Sequence, residues 1–210
     1  MIDLIKEEEI IEWWERNHLS DNRKWLTGSS LTQYLDFFEV HAEYRKAHKV
    51  LEVGIGLTNA ITSMFKDGKE VYATDISEAA LNKVSSFVHT FQLSELNKLP
   101  LNSIDIVFSF LVAQHINDEM LIYHLTHILP ALKKDGIFCL HYAGELNGNS
   151  NGQGQVAQQK GGIVRTSTDM KNLVRSAKGM IVGDCSRVKG ADAEGHEWEW
   201  RSAIITRGSG

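Results

Sequence analysis

The segment Val50–Thr58, VLEVGIGLT, limits the possible folds more than any other part of the sequence. An apolar run carrying Glu52 leads into Gly54 and Gly56, and a helical pattern starts directly afterwards. Glycine lets the backbone turn tightly and approach a ligand closely. The first N–H groups of the next helix face the same space. The pattern therefore predicts a strand, a ligand-binding turn and a helix, with a plain tight turn as the alternative.

Strands and helices alternate along the rest of the chain. Helical patterns at 2–17 and 31–47 precede five strands in βα alternation, and a helix and two strands, 180–188 and 198–206, close the order. Right-handed crossovers make the first strands parallel, and a closing pair suits a mixed sheet. We expect a single Rossmann-like α/β domain with helices on both faces of the sheet, residues 1–47 forming a helical cap or lid and residues 48–206 the core.

Two segments after the fourth predicted strand are less regular. Residues 118–133 are predicted as one helix, kinked at Pro130 and stopped by Asp135-Gly136. The fifth strand is then expected over 137–142. Residues 146–162 are polar, with five glycines and four glutamines. Such a long loop borders a functional site or is disordered without a role.

A second acid lies where a nucleoside ligand requires one. Asp75 ends the second predicted strand, 19 residues after Gly56, and an acid at this place accepts hydrogen bonds from ribose hydroxyls. A dinucleotide fold is the rival interpretation, but its G-x-G-x-x-G pattern has Asn59 at the third glycine here. The Glu52 carboxylate would also be unfavourable beside the negatively charged pyrophosphate of a dinucleotide. It suits a cationic ligand such as S-adenosylmethionine, which carries an ammonium and a sulfonium.

Residues 50–115 resemble the core of the class I, Rossmann-like S-adenosylmethionine-dependent methyltransferases, of the kind with methyltransferase domains of type 11 or 25. The resemblance is carried by the glycine segment, by Asp75, and by LPLNSIDIVFS at 99–109, which is similar to the family's "LPF…sFDlV" stretch. Thr58 stands at the family's usual third glycine. Glu95, with Leu96 beside it, stands where the family carries an Asp that holds the adenine amino group.

The resemblance implies a fold, a cofactor and a set of site residues. The implied fold is a mostly parallel seven-stranded sheet with an antiparallel last strand. The implied cofactor is S-adenosyl-L-methionine, and the product is S-adenosyl-L-homocysteine. The residues assigned to cofactor binding are Glu52, Gly54, Gly56, Asp75, Ile76, Glu95, Leu96 and Ser109.

Two histidines are candidates for catalysis. Methyl transfer requires the nucleophile, the methyl group and the leaving sulfur to lie in line, and an oxygen nucleophile must also lose its proton. His115 follows the fourth predicted strand and His141 lies near the end of the fifth. Both belong at the carboxyl edge of the sheet, where ligands bind. The alternative is that both are structural, held by hydrogen bonds to the backbone. His124 and His127 share a helix face without a third ligand, so no metal site is predicted.

Composition excludes several classes of partner. The net charge is −5, with 27 acidic and 22 basic residues and no basic block, so nucleic acid is not expected as a partner. The longest nearly apolar stretch, 104–113, is too short to span a membrane. Residues 1–12 lack a signal-peptide pattern, and two cysteines form no disulfide framework. The cytoplasm is therefore the expected compartment.

The predicted function is transfer of a methyl group from S-adenosylmethionine to a small molecule. Residues 23–29, RKWLTGS, resemble N-terminal stretches of methyltransferases encoded among glycan genes, which points to O-methylation of a sugar or glycan intermediate. Two alternatives stay open. One is a catalytically inactive, methyltransferase-like protein that binds the cofactor or a partner. The other is an NAD(P)-dependent oxidoreductase, which the missing glycine at Asn59 disfavours.

Overall fold

A computed structural model describes residues 12, 14–16, 30–56, 59–145, 163–191 and 197–208. Its centre is a seven-stranded sheet in the order β3-β2-β1-β4-β5-β7-β6. The strands are β1 (Lys49–Val53), β2 (Glu70–Asp75), β3 (His89–Gln92), β4 (Ile104–Ser109), β5 (Leu132–Glu145), β6 (Gly179–Ala191) and β7 (Glu197–Arg207). Neighbours from β3 to β5 pair in parallel, and β7 runs antiparallel to β5 and β6. The predicted mixed sheet with an antiparallel last strand is confirmed.

From Leu31 onward, six α-helices in the described residues cover the two faces of the sheet. They are α1 (Leu31–Phe38), α2 (His41–Lys46), α3 (Ala60–Lys66), α4 (Glu78–Val84), α5 (Asp118–Ile128) and α6 (Ser167–Ser176). Alternate residues of β1 point to opposite faces. Val50 packs in the core formed with α1 to α4, and Leu51 packs in the core formed with α5 and α6. No helix among the described residues has the length and apolar character needed to cross a membrane.

The structure corrects the prediction of one helix over 118–133. Helix α5 ends at Ile128, a 3₁₀ turn spans Leu129–Ala131, and β5 already begins at Leu132. Pro130 explains the early end because it has no N–H to donate to the preceding turn. Gly136 does not stop a helix. It lies within β5, where an added Cβ would come 2.8 Å from the Ile104 carbonyl oxygen.

Strands β5, β6 and β7 extend beyond the parallel part of the sheet. Ser109, the last residue of β4, pairs with Leu140 in β5, whereas β5 continues to pair with β7 as far as Glu145. Five further residues at about 3.3 Å each give a projection of roughly 16 Å. The three strands therefore form a wall on one side of the carboxyl edge of β1, β2 and β4.

A buried polar network holds this wall on its α6 side. The Tyr142 hydroxyl donates to Asp184 Oδ1 over 2.8 Å, and the Arg201 guanidinium contacts the same oxygen at 2.9 Å. Arg201 also pairs with Glu199. Gly144 makes space for this arrangement, since a Cβ there would lie 2.4 Å from Arg201 Cδ. Buried charges remain stable only when they are paired and hydrogen-bonded, as these are.

Candidate active site

The glycine segment forms a turn that only glycine fits well. Gly54 has φ +70° and Gly56 has φ +49°, both in the left-handed region. The Gly54 N–H donates to the Thr74 carbonyl over 2.7 Å, which ties the turn to β2. A Cβ on Gly54 would lie 2.3 Å from Val112 Cγ2. The backbone is therefore enclosed between β2 and the segment after β4, at the carboxyl end of β1.

Asp75 binds the glycine turn directly. Its Oδ2 accepts the Gly56 N–H at 2.9 Å, and its Oδ1 accepts the Ser77 N–H at 2.8 Å. The side chain is buried at the end of β2. An ionised carboxylate has about four acceptor positions, so these two bonds orient Asp75 for further polar contacts. The structure thus brings Asp75 and Gly56, two of the predicted cofactor residues, into direct contact.

Glu52 is a fully buried carboxylate on the α1 side of the sheet. Its Oε1 accepts a hydrogen bond of 2.7 Å from the Tyr34 hydroxyl. Sequence reasoning missed Tyr34. The helical spacing of Leu31, Tyr34, Leu35 and Phe38, all buried, signals a packed helix face but not the acid that the tyrosine meets. Helix α1 is thereby connected to the strand that carries the glycine turn.

The remaining predicted cofactor residues lie at the same edge in three places. Ile76 follows Asp75 and is half-buried, and Ser109 is buried at the end of β4. Glu95 and Leu96 lie in a 3₁₀ turn, Leu93–Lys98, directly after β3. Lys98 donates to Glu95 over 2.7 Å and the Gln92 N–H over 3.1 Å, and these bonds lower the pKa of Glu95. The Leu96 side chain is buried in the core.

The two candidate histidines have different surroundings. His115 lies half-buried in a 3₁₀ turn after β4, with its Nε2 at 3.3 Å from Gln114 Nε2 and its ring 5.2 Å from that of Trp14. His141 is 1% exposed, and its Nδ1 accepts the Leu111 N–H over 3.2 Å. Burial lowers the pKa of His141 to about 3. His141 is thus neutral near pH 7, with its proton on Nε2.

Comparison with known proteins identifies the family. Residues 51–140 match the family model described as "Methyltransferase domain". Residues 51–140 thus form a methyltransferase domain of the class I type. S-adenosylmethionine is therefore the cofactor of this enzyme, as the sequence predicts. The sequence comparison with curated proteins found no match.

Solved methyltransferases share the fold at low sequence identity. A Burkholderia thailandensis 1,6-didemethyltoxoflavin-N1-methyltransferase has a TM-score of 0.70 and 15% identity, over 100% of this chain and 92% of that chain. Phosphoethanolamine N-methyltransferase 2 from Haemonchus contortus has a TM-score of 0.65 and 16% identity, over 94% and 56%. An S-adenosylmethionine-dependent methyltransferase from Clostridium acetobutylicum has a TM-score of 0.61 and 14% identity, over 94% and 99%.

The residues at the edge of this methyltransferase fit its cofactor. The Gly54 turn has no space for a side chain on the Val112 side, so the backbone itself lines the site. Glu52 and Asp75 place two buried carboxylates beside that turn. Negative charge there suits a ligand that carries both an ammonium and a sulfonium group.

Arg165 is a site-supporting residue of the methyltransferase that sequence reasoning missed. It is 2% exposed and donates to the carbonyl oxygens of Ala113 at 2.6 Å and Ile116 at 2.7 Å. It also pairs with Asp118 at 2.8 Å. The turn that carries His115 is therefore fixed from the segment that precedes α6. A lone arginine after a polar stretch gives no sequence signal of this role.

The described part of the N-terminal region contacts both sides of the glycine turn. Most of the predicted helix over 2–17 lies outside the described residues, and residues 12 and 14–16 are helical. Trp14 packs against His115 after β4, and Glu15 accepts the Ala79 N–H over 3.1 Å at the start of α4. Since β1 lies between β2 and β4, these contacts flank the carboxyl end of β1. The polar stretch 146–162 lies outside the described residues.

Two buried histidines should make the methyltransferase sensitive to acid. Burial lowers the pKa from 6.5 to about 4 for His124 and to about 3 for His141. Below pH 6.5 these histidines are protonated in the unfolded chain but stay neutral in the folded chain. The free energy of unfolding is therefore highest above pH 6.5 and decreases as the pH falls. As the pH falls below 6.5, the slope approaches about 1.4 kcal/mol per pH unit for each histidine. Urea denaturation between pH 7 and 5.5 measures it.

The variant His124→Gln should remove about half of this slope. It keeps a neutral polar side chain in α5 and removes one group that titrates on unfolding. A free energy of unfolding that stays constant between pH 7 and 5.5 would contradict the prediction.

Proposed function

We propose that this methyltransferase methylates an oxygen of a small molecule. The observation that carries the proposal is the juxtaposition of the Asp75-bound glycine turn with the wall formed by β5, β6 and β7. The turn suits the cofactor, and the wall borders the space beside it. Two structurally similar enzymes support a small acceptor. One was crystallised with 1,6-didemethyltoxoflavin, and the other is named for phosphoethanolamine.

The cofactor supplies, when bound, a methyl group on a positively charged sulfur. We assign the ribose hydroxyls to Asp75 and the adenine amino group to Glu95. Leu96 would contribute through its backbone, because its side chain lies in the core. Gly54 and Gly56 present backbone, and Ile76 and Ser109 flank the site. Glu52, which lies in β1 just before the glycine turn, contributes negative charge, and the Tyr34 hydroxyl orients its carboxylate.

The acceptor hydroxyl must lose its proton during transfer. His115 is the better candidate for the base, since it is half-buried at the edge of the site. His141, with a pKa of about 3, binds a proton too weakly for this role near neutral pH. We therefore assign proton removal to His115 or to water.

We also propose a cap over the core, a class of acceptor and a cellular compartment. Residues 1–47 form a cap over the core at 48–206, which the contacts of Trp14 and Glu15 support. A sugar or glycan intermediate is the acceptor suggested by residues 23–29, and nucleic acid is not expected at a net charge of −5. The cytoplasm is the expected compartment because Cys139 and Cys185 are free thiols.

Calorimetric titration with S-adenosylhomocysteine tests the proposal, with NADH as the control ligand. Binding of the first and not of the second is expected. Asp75→Ala should lose about 1–3 kcal/mol of this binding energy, because it removes charged hydrogen bonds to the ligand and to the glycine turn. Binding of NADH would favour the oxidoreductase. Binding of S-adenosylhomocysteine without methyl transfer to any tested small molecule would favour the inactive, cofactor-binding alternative.

Asp105→Asn is a matched control for Asp75→Ala. Asp105 lies near the start of β4, at the opposite edge of the sheet, where it accepts N–H bonds from His48 and Lys49. This variant should lower the free energy of unfolding and leave S-adenosylhomocysteine affinity unchanged. An Asp75→Ala protein that binds S-adenosylhomocysteine like the wild type would contradict the assignment of Asp75.

A further inference from the structure

Three aromatic rings enclose His141 beside the glycine turn. The ring centroids of Phe37, Phe110 and Trp200 lie 4.8, 4.7 and 4.7 Å from that of His141. The three rings are partly exposed, whereas His141 is buried. They come from α1, the segment after β4, and β7. We call these four side chains the aromatic wall.

The aromatic wall is directly connected to the cofactor side of the site. Phe110 stacks on Tyr34 at 4.7 Å, and Tyr34 donates to Glu52 of β1. Two residues after Phe110, Val112 fills the space next to Gly54. An acceptor lying on the aromatic wall would therefore be adjacent to the glycine turn. Such proximity is what in-line transfer between two bound molecules requires.

His141 adds one polar group, its ring N–H, to the aromatic wall. Its Nδ1 accepts a hydrogen bond from the Leu111 N–H, so the neutral ring carries its proton on Nε2. Among the described residues, Nε2 has no hydrogen-bond partner. Nε2 is not among the fully buried side-chain atoms that lack a partner, so it is available to a ligand that lies beside the partly exposed rings.

The chemical composition of the aromatic wall favours one class of ligand. Aromatic rings bind other flat rings by stacking or edge contacts at about 4.5–7 Å between centroids. A sugar would place several hydroxyl groups against rings that offer one donor, and unpaired polar groups lose affinity. Arg187 hydrogen-bonds to Ser202 of β7, and its charge is paired with Glu39 at 2.7 Å. The wall therefore suits an uncharged ligand.

We propose that the aromatic wall is the acceptor subsite, and that it binds a flat, uncharged aromatic or heteroaromatic compound whose oxygen or ring nitrogen accepts a hydrogen bond from His141 Nε2. The proposal rests on the function proposed above and replaces the sugar with a planar ring. His141 acts as a binding residue that orients the acceptor. The four side chains of the aromatic wall take no part in proton transfer.

Ligand-observed NMR titrations test the acceptor class. The probes are 1-naphthol and 4-quinolone, with methyl α-D-glucoside as the sugar probe, and each is titrated with and without S-adenosylhomocysteine. Saturable binding of a ring probe and none of the glucoside is expected. Binding of the glucoside alone, or of no probe, would overturn the proposal. The titrations without S-adenosylhomocysteine keep this result separate from a failure of cofactor binding.

Variants of His141 test the donor. His141→Phe keeps a flat ring and removes the N–H, and we expect about tenfold weaker binding of the ring probe, the loss of one hydrogen bond. His141→Gln keeps an N–H donor and should retain most of the affinity. His124→Phe makes the same change at a buried histidine of α5 and should leave probe binding unchanged. Wild-type affinity in His141→Phe would overturn the assignment.

A direct signal from the histidine ring completes the test. The ¹⁵N resonance of His141 Nε2 should be that of a protonated nitrogen in a neutral ring, and it should shift when the ring probe binds. Retained S-adenosylhomocysteine affinity shows that each variant is folded. An Nε2 resonance that does not respond to a bound ring probe would show that the probe lies elsewhere.

Discussion

Gly54→Ala should cost about 2–5 kcal/mol of folding free energy and strongly weaken the binding of S-adenosylhomocysteine. Left-handed backbone at φ +70° costs a non-glycine residue about 1–2 kcal/mol. The new Cβ would lie 2.3 Å from Val112 Cγ2, and overpacking of this kind costs about 1–3 kcal/mol. Relief of the clash would displace the turn that Asp75 holds. Urea denaturation and calorimetry measure the two effects.

Two further variants separate the causes at Gly54. Gly68 has φ +75° and no atom within 4 Å of an added Cβ, so Gly68→Ala isolates the backbone cost and should leave cofactor affinity unchanged. In the double variant Gly54→Ala with Val112→Ala, the clash is removed and part of the stability should return. If Gly54→Ala behaves like Gly68→Ala in both measurements, the close approach to Val112 has no role.

Arg165→Met should lower the free energy of unfolding by about 2–4 kcal/mol. The substitution keeps most of the buried volume but leaves the carbonyl oxygens of Ala113 and Ile116 without their donors. Each orphaned buried acceptor costs about 1–3 kcal/mol. The freed turn carries His115, so methyl transfer should fall more than cofactor affinity. Thermal denaturation and the ratio of kcat to S-adenosylhomocysteine affinity report these changes.

Asp118→Asn provides the matched control for Arg165→Met. The Asp118 side chain is 60% exposed, and Asn at this position keeps an oxygen that can accept the hydrogen bond from Arg165. We expect this variant to retain stability and activity while the two carbonyl bonds of Arg165 persist. Equal losses in both variants would assign the effect to the ion pair and not to the carbonyl oxygens.

The parallel half of the fold was predictable from the sequence because its signals are local. The apolar run of β4 and the glycine turn are each specified by a few neighbouring residues, and their order determines the topology. The end of α5 was predicted too late, since a proline in a helical pattern either kinks a helix or ends it. Here the pairing of Leu132 with Ile104 makes it an end.

The site was predictable only where one segment carries it. Gly54, Gly56 and Asp75 lie in two short motifs, whereas Tyr34 and Arg165 act on residues 18 and about 50 positions away. Their roles depend on packing between distant segments, which no spacing rule encodes. His141 lies four residues before the end of β5 and one residue beyond the pairing of β5 with β4. The burial that lowers its pKa involves rings from three other elements.

The polar network of Tyr142, Asp184 and Arg201 supports the projecting ends of β5, β6 and β7 independently of the glycine turn. The β7 part of the proposed acceptor subsite, which includes Trp200, thus has a support separate from that of the glycine turn. Substitution of Trp200 should change which molecule is methylated without weakening the binding of the methyl donor. Such separation allows one scaffold to acquire new substrates in small steps, each leaving a folded protein that binds its methyl donor.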